Sequence, residues 1–221
     1  MATAQDLYNK LMQTGLINAT GQIVFELKDI QTIVRDSSIV GNVMQDWLKS
    51  FMDKHQIGYR LKQNTQEFPD FLMDSKRDDI GLLEVKCFKD SPNFDIANFQ
   101  AYARSLLENP YRLDADYLIF EYIDLHGGIA IKRVWLKKVW EIACSSERSP
   151  LKIQWKQGIP VNIRPATWYS TRTTYPPFSS RLAFVEAVKR VLDTSSVSAG
   201  LQKDWFKKVS IKYKEQTGQD L

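Results

Sequence analysis

Two acidic residues and a lysine, Asp70, Glu84 and Lys86, stand at a spacing that could hold a metal ion. They lie in two apolar, β-prone runs, residues 68–73 and 82–88, which are separated by turn formers and so predict a β-hairpin. Side chains on a strand alternate between its faces, so Glu84 and Lys86 point the same way and Asp70 can face them from the neighbouring strand. Two carboxylates this close repel each other, and a hard divalent cation with oxygen ligands is the usual way to neutralise them.

These residues also resemble the motif of a known nuclease group. The chain resembles the PD-(D/E)XK nuclease superfamily, which includes most type II restriction endonucleases, in Pro69-Asp70, thirteen intervening residues and Glu84-Val85-Lys86. The resemblance covers roughly residues 39–125. The stretches from Arg133 to Trp140 and from Arg172 to residue 192 resemble an NgoBV-like group of these enzymes. From the residues alone, the alternative is an edge hairpin with a solvated Glu–Lys pair, a common and weakly stabilising arrangement.

The resemblance implies a fold, a reaction and a role for each residue. The implied fold is α/β (α+β), with a central mixed β-sheet flanked by helices in a restriction-endonuclease-like core. Asp70, Glu84 and the backbone carbonyl of Val85 would bind Mg²⁺, and Lys86 would orient the attacking water and stabilise developing charge. The implied reaction is sequence-specific hydrolysis of phosphodiester bonds in double-stranded DNA, leaving a 5′-phosphate. The implied assembly is a homodimer that reads a palindromic duplex.

Two glutamines are accessory candidates. In many members of the superfamily the helix before the hairpin presents a glutamate or glutamine to the metal, and Gln45 lies at the matching place within residues 41–47. Gln45 carries no charge, so it would orient a water rather than supply a third carboxylate. Gln100 lies in the helix after the motif, where members often place a polar residue near the water or the DNA backbone. A solvated helix face without a role is the alternative for both glutamines.

Candidate DNA-binding residues lie in three polar segments. Residues 158–178 are rich in Pro, Thr and Tyr and predict a long loop, in which Arg172 is the side chain most expected to contact DNA. Two shorter segments, at 62–64 and 91–93, flank the hairpin and could contact DNA near the scissile bond. The predicted DNA-binding residues are Arg172, Thr171, Thr174, Lys62, Gln63, Asn64 and Asn93. For Arg172 the alternative is a surface arginine in a mobile loop without a partner.

The charge of the chain is divided between its two halves. Residues 1–125 carry 13 Lys and Arg against 19 Asp and Glu, whereas residues 126–221 carry 17 against 7. Neutralisation of phosphates by Lys and Arg dominates the affinity of proteins for nucleic acid. Beside a carboxylate pair of the metal-binding type, this asymmetry favours a DNA partner over a merely solvated basic surface.

The elements expected to position these residues follow from hydrophobic periodicity. A helix at residues 39–55, capped by Ser37 and Ser38, precedes the hairpin, and a helix at 94–109 and a buried strand at 116–125 follow it. This order is the α-β-β-β-α-β core that the resemblance implies. The other predicted elements are a helix at 3–14, an extended piece at 23–27, strands at 59–62, 129–136 and 151–156, helices at 136–144 and 179–192, and a weakly helical C-terminal stretch.

Length and composition fit one cytosolic domain. A chain of 221 residues with 43% hydrophobic residues can bury a sizeable core, and we expect a single endonuclease domain with its core at about 39–125 and a basic elaboration at about 126–221. No apolar run is long enough to cross a membrane and no signal peptide is recognisable, so we expect a cytoplasmic protein. Cys87 and Cys144 are expected to be free thiols.

Missing motifs narrow the function further. The chain contains no G-x-S-x-G, P-loop or Gly-rich dinucleotide fingerprint, and His55 and His126 lack zinc-type spacing. Three hypotheses remain: a type II restriction endonuclease, a structure-selective nuclease of DNA repair or recombination on the same fold, and a catalytically silent DNA-binding module. The long polar loop favours sequence readout and the two carboxylates favour catalysis, so we prefer the first.

Overall fold

The computed structural model describes residues 2–34, 36, 39–64, 67–125, 128–195 and 199–221. The chain falls into two compact units, one formed by Met1–Ser91 and Asp116–Lys137 and the other by Pro92–Ala115 and Lys138–Leu221. The single-domain organisation expected from sequence stays a prediction. The predicted helix cap at residues 37 and 38, and His126, lie outside the described residues.

Helices and strands are mixed along the chain. The helices are α1 (Ala4–Gln13), α2 (Val40–Lys54), α3 (Phe99–Glu108), α4 (Val139–Ile142), α5 (Arg181–Thr194), α6 (Ala199–Gln202) and α7 (Trp205–Thr217), with a 3₁₀ turn at Pro110–Asp114. The strands are β1 (Thr20–Gly21), β2 (Val24–Leu27), β3 (Ile30–Ile33), β4 (Phe71–Leu72), β5 (Leu82–Lys89), β6 (Ala97–Asn98), β7 (Asp116–Leu125), β8 (Gly128–Lys138), β9 (Ile153–Lys156) and β10 (Ile159–Ile163). Among the described residues, no helix is both long and apolar enough to pass through a bilayer.

A five-stranded mixed sheet forms the first unit, in the order β1-β8-β7-β5-β4. β5 and β7 run parallel, whereas β4 pairs with β5 and β1 pairs with β8 in antiparallel fashion. Parallel neighbours need a crossover connection, and the segment that contains α3 supplies it between β5 and β7. The predicted α/β (α+β) class with a central mixed sheet is confirmed.

Helices α1 and α2 cover one face of this sheet. Leu48 and Met52 of α2 are completely buried in one hydrophobic cluster with Leu83 and Val85 of β5, and α1 contributes to the same cluster. Burial of these apolar side chains is the main favourable term in holding the layers together. Because side chains alternate along β5, packing Leu83 and Val85 on the helices turns Glu84 to the other face.

Arg60 and Gly81 fix the connection between β4 and β5. The Arg60 side chain donates hydrogen bonds to the backbone carbonyls of Asp74 and Arg77, each at 2.8 Å. Gly81 has a φ of +66°, and a Cβ atom there would lie 2.9 Å from the backbone nitrogen of Asp74. Only glycine is compatible with this approach and this backbone conformation. The connection therefore holds the register of the two strands that carry the predicted motif.

The second unit combines a small sheet with α3, α5 and α7. Its three strands lie in the order β6-β10-β9. Phe99, Val188 and Trp205 are essentially inaccessible to solvent, and the Trp205 indole donates a 2.8 Å hydrogen bond to the carbonyl of Ala103. The bond satisfies the polar atom of a buried tryptophan, which allows that large side chain to anchor α7 on α3.

The segment 158–178 is not a continuous loop, contrary to the sequence prediction. Its first residues form β10, which pairs with both β9 and β6. The apolar positions of this short strand alternate around Pro160, and a register shift between Pro160 and Asn162 accommodates the proline. Pro160 had indicated a loop, but the register shift in the β9–β10 pairing allows a proline within the strand.

Other predicted elements were misplaced. The strand expected at 59–62 is a single bridge between Arg60 and Leu72, since the polar run of residues 62–64 begins two positions later. The helix expected from residue 94 begins only at Phe99, because the Asn98 side chain caps it by accepting from the backbone N–H of Ala101 at 3.0 Å. The extended piece at 23–27 is β2, and its partner β3 was not predicted.

Candidate active site

Asp70 and Glu84 lie side by side at the junction of β4 and β5. Phe71 is opposite Leu83 in the antiparallel register, so Asp70, the residue before β4, falls opposite Glu84 and on the same face. The backbone N–H of Val85 donates a 2.7 Å hydrogen bond to Asp70 Oδ2. This bond fixes the Asp70 carboxylate beside β5, as the hairpin prediction required.

Glu84 is a buried carboxylate with one oxygen paired and one unpaired. Its residue is 8% exposed, and Lys86 Nζ lies 2.8 Å from Glu84 Oε1. No hydrogen-bond partner is found for Glu84 Oε2 within the described part of the chain. A buried, unsatisfied oxygen is costly, so this atom is a vacant acceptor for a ligand.

Burial and the nearby charge of Glu84 raise the pKa of Asp70 to about 6. Burial is the largest cause and the negative charge of Glu84 is the second, while the N–H of Val85 and the charges of Lys86 and Lys49 act in the opposite direction. Ionised Asp70 is therefore held in an unfavourable environment. A cation bound between the carboxylates would relieve both the repulsion and the unsatisfied oxygen.

The oxygen atoms at this point suit a hard divalent cation. Asp70 and Glu84 supply two carboxylates, and the carbonyl of Val85 belongs to the residue whose N–H already points at Asp70. The described residues contain no group of three or more His, Cys, Asp or Glu that could hold a metal. A pair of carboxylates completed by neutral oxygens and water is the donor set that Mg²⁺ accepts, because it dehydrates reluctantly.

Glu121 shows what a purely structural buried carboxylate looks like in the same sheet. It is 1% exposed on β7, with Lys132 Nζ at 3.1 Å and Arg133 bound to its other oxygen. Burial acts to raise the pKa of Glu121, but the two cations outweigh it and the net shift is downward. Glu121 is thus neutralised by its own neighbours, whereas Asp70 is not.

Helix α2 brings a second cation to the site, and sequence reasoning missed it. Lys49 is half-buried, its charge acts on Asp70, and its Nζ lies 2.7 Å from Asp46 Oδ1. Gln45, the predicted accessory residue, is half-buried one helical turn before Lys49 and so lies on the same side of α2. The sequence offered one signal for Lys49, its position four residues after Gln45 on the predicted helix. The signal is weak, because a lysine three residues after Asp46 is also typical of a solvent-exposed ion pair.

The other predicted site residues are divided between the two units, and three of them lie in the first. Lys62 is half-buried and Gln63 and Asn64 are exposed, directly after the Arg60 bridge, and the Asn64 amide donates to Glu67 at 3.0 Å. These residues belong to the first unit, close in sequence to Asp70. A contact with DNA stays a prediction for all three.

The remaining candidates belong to the second unit. Arg172, Thr171 and Thr174 are exposed in an irregular segment after β10, and Gln100 is half-buried in the first turn of α3. Asn93 is exposed, and its backbone carbonyl accepts a 2.8 Å hydrogen bond from Arg164. Their roles stay predictions.

Comparisons with known proteins give one consistent family. The family model described as NgoBV restriction endonuclease matches residues 1–221. The chain is 38% identical over 218 residues to the type II restriction enzyme NlaIV of Neisseria lactamica, covering 96% of this chain and 90% of the relative. It is 38% identical over 148 residues to the type II restriction enzyme NgoBV of Neisseria gonorrhoeae, covering 66% and 85%. A solved structure of NlaIV restriction endonuclease matches with a TM-score of 0.93 and 37% identity, over 100% of this chain and 92% of that one.

We predict that Asp70→Asn stabilises the metal-free protein at pH 8 by about 1–3 kcal/mol. Folding raises the pKa of Asp70 from an ordinary 3.8 to about 6, so ionisation of this residue destabilises the folded state as pH rises through that interval. The asparagine keeps an oxygen for the N–H of Val85 and loses the repulsion from Glu84. The gain should disappear near pH 4, where wild-type Asp70 is protonated when folded.

Urea denaturation in chelator at pH 4 and pH 8 measures this difference. Asp124→Asn is the matched control, since Asp124 is a half-exposed carboxylate paired with Lys89 on the same sheet. Equal stability of Asp70→Asn and wild type at pH 8 would contradict the proposed repulsion.

Proposed function

The chain belongs to the NgoBV restriction endonuclease family, and we propose that this type II restriction endonuclease uses Asp70, Glu84 and Lys86 as its catalytic residues. The family confirms the resemblance seen in the sequence, and the enzyme is a site-specific deoxyribonuclease. The observation that carries the assignment is the buried Asp70–Glu84 pair, with Lys86 Nζ 2.8 Å from Glu84. The alternatives of a structure-selective nuclease and a silent module are not carried further, because the relatives are named type II restriction enzymes.

Mg²⁺ is the cofactor that we propose for this site. Asp70, Glu84 and the carbonyl of Val85 would hold it, and the unsatisfied Oε2 of Glu84 and the raised pKa of Asp70 support that choice. When bound, the ion would acidify a coordinated water and neutralise charge on the scissile phosphate. The affinity for the metal should fall as pH drops below about 6, since protons compete for Asp70.

We propose that Lys86 acts on the attacking water and on the phosphate. Its side chain is 21% exposed and lies on the same face as Glu84, so its ammonium is held in a partly dry environment. A cation fixed there stabilises negative charge that develops during hydrolysis more strongly than it would in water. We propose that Lys86 orients the water for in-line attack and that the product carries a 5′-phosphate.

The proposed substrate is double-stranded DNA with a palindromic recognition site. One chain supplies one pair of carboxylates, so two chains related by a two-fold axis would be needed to cut both strands symmetrically. The basic second half of the chain and the exposed Arg172, Thr171 and Thr174 support phosphate and base contacts. A cytoplasmic location, with access to DNA, belongs to the same proposal.

The proposed function is tested first by replacing a metal ligand. Glu84→Ala should abolish cleavage of a long mixed-sequence DNA in Mg²⁺, because the carboxylate that binds the ion is gone, while discrete fragments appear with the wild type. Agarose electrophoresis reads the outcome, and Asp124→Asn is again the matched control. Normal cleavage by Glu84→Ala would disprove the site assignment.

Lys86→Ala is predicted to slow cleavage by about 10²–10³-fold without loss of metal binding, on the scale known for removing one transition-state stabiliser. Lys89→Ala is the control, since Lys89 lies on the same strand and its half-exposed side chain pairs with Asp124. Single-turnover rates measure the first effect and calorimetry with Mn²⁺ the second. Loss of Mn²⁺ binding in Lys86→Ala would assign this lysine a structural role instead.

Lys49→Met is predicted to reduce DNA binding and to lower the salt slope of binding by about one, as expected for the loss of one phosphate contact. Its charge lies near Asp70, where the scissile phosphate would sit. Affinity for Mn²⁺ should stay equal or rise, since a competing cation is removed. Asp46→Asn keeps the lysine and serves as control; an unchanged salt slope in Lys49→Met would remove Lys49 from the interface.

Arg172→Ala is predicted to weaken binding to the preferred sequence more than to random DNA, by roughly 1–3 kcal/mol of discrimination if it reads a base. Binding isotherms on both duplexes at several salt concentrations separate the cases. Equal losses on both duplexes would assign Arg172 to the DNA backbone. Unchanged binding on both would leave readout to residues such as Lys62–Asn64 or Asn93.

A further inference from the structure

The hairpin of β9 and β10 carries two carboxamides on one face. Gln154 and Asn162 are directly opposite each other in the antiparallel register, and both are half-buried. Their neighbours in sequence, Ile153 and Ile163, form the next pair, and Ile163 is completely buried. Because side chains alternate along a strand, burial of Ile163 directs Asn162, and Gln154 beside it, to the opposite face. The two carboxamides therefore meet on the face of the hairpin that points away from the core.

An ion pair fixes the orientation of both carboxamides. Asn162 Nδ2 donates to Asp95 Oδ2 at 2.8 Å, and Arg164 Nη2 donates to Gln154 Oε1 at 3.2 Å. Arg164 Nη1 in turn lies 2.8 Å from Asp95 Oδ1. A carboxylate only accepts hydrogen bonds and a guanidinium only donates them. Turning either amide over would therefore place two acceptors or two donors together, so the nitrogen and oxygen positions are determined.

This fixed orientation leaves one donor and one acceptor for a ligand. Asn162 Nδ2 also donates to Gln154 Oε1 at 3.3 Å, so the two amides are joined at those atoms. Among the described residues, neither Gln154 Nε2 nor Asn162 Oδ1 has a hydrogen-bond partner. A donor beside an acceptor matches the major-groove edge of a base pair, where every base pair presents both kinds of group. A phosphate offers acceptors only and would leave Asn162 Oδ1 unused.

A two-residue turn keeps β9 and β10 in register. Gln157 and Gly158 connect the strands with φ values of +51° and +77°. Positive φ at both positions is the type I′ conformation, which matches the twist of antiparallel strands. In the described ladder β6 reaches only Asn162 and Ile163 of β10, so the turn end of the hairpin is two-stranded. A two-stranded ribbon is one of the elements that the major groove of B-DNA admits.

The charge around the hairpin suits a DNA partner. Residues 148–185 contain six Lys or Arg and no Asp or Glu. Lys156 is exposed and lies two residues after Gln154, on the same face of β9. A cation there is placed to contact a phosphate beside the base edge that the amides would reach. Arg164 is excluded from that role, because its charge is paired with Asp95.

We propose that Gln154 and Asn162 read a base edge of the recognition sequence in the major groove, and that Asp95 and Arg164 position them. This inference rests on the proposed function, in which double-stranded DNA is the substrate. Gln154 Nε2 would donate to a purine N7, a guanine O6 or a thymine O4, and Asn162 Oδ1 would accept from the amino group of adenine or cytosine. Sequence analysis did not find this pair, because it depends on the pairing of β9 with β10.

Binding isotherms of the full-length protein on two duplexes test the proposal. One duplex carries the sequence found at the ends of the fragments that the wild type produces, and the other carries the same bases scrambled. Ca²⁺ replaces Mg²⁺, because it binds the same oxygen ligands with looser geometry. Gln154→Met removes the donor without changing the charge, and it should lower the preference for the first duplex by about tenfold or more.

Gln154→Glu separates base readout from a structural role. The glutamate keeps an oxygen for Arg164, so the hairpin should melt at an unchanged or higher temperature, but it replaces the outward donor by an acceptor. Gln157→Glu is the matched control, since it adds the same charge three residues away at the exposed turn. We expect Gln154→Glu to lose the preference between the duplexes and Gln157→Glu to weaken binding to both equally.

A preference within about twofold of the wild type in both Gln154 variants would overturn the proposal, as would equal losses on both duplexes. A wild type that binds the two duplexes alike would contradict the proposed function and this inference with it. Cleavage by Glu84→Ala is a separate readout, which decides the metal site whatever the result at Gln154.

Discussion

The electrostatic repulsion between Asp70 and Glu84 is the constraint around which the first unit is organised. The antiparallel register of β4 and β5 puts the two carboxylates opposite each other, and the N–H of Val85 fixes Asp70 in place. α2 and the apolar residues of β5 bury the other side of the sheet, so β5 cannot rotate to release Glu84 into water. The fold thereby holds two carboxylates close together, and we propose that a bound cation neutralises them.

Two cations of the chain already reduce this repulsion without abolishing it. Lys86 pairs with Glu84, and Lys49 acts on Asp70 from α2. Glu121, by contrast, is paired with Lys132 and Arg133, and these two cations lower its pKa although burial acts to raise it. The opposite directions of the two pKa shifts are the reason that we propose Asp70, and not Glu121, as a metal ligand.

The shared face of Glu84 and Lys86 and the position of α2 could be predicted from sequence because strand alternation and hydrophobic periodicity are local rules. The central mixed sheet was implied by the resemblance to the nuclease superfamily, and the structure confirms it. Lys49 could not be predicted, since its relation to Asp70 depends on how α2 packs on the sheet. β3 and β10 were missed because four- and five-residue strands carry little periodicity, and proline at 160 indicated a loop. The long-range pairing of such strands is a tertiary property.

Anomalous diffraction from crystals soaked in Mn²⁺ tests the central claim most directly. If the Asp70–Glu84 pair is a metal site, a peak should appear with its centre about 2.1 Å from one oxygen of each carboxylate, and it should be absent in Glu84→Ala. The Lys86 ammonium should then lie beside the ion's water rather than on Glu84 alone. A peak elsewhere in the chain, or none at all in crystals grown above pH 7, would contradict the account.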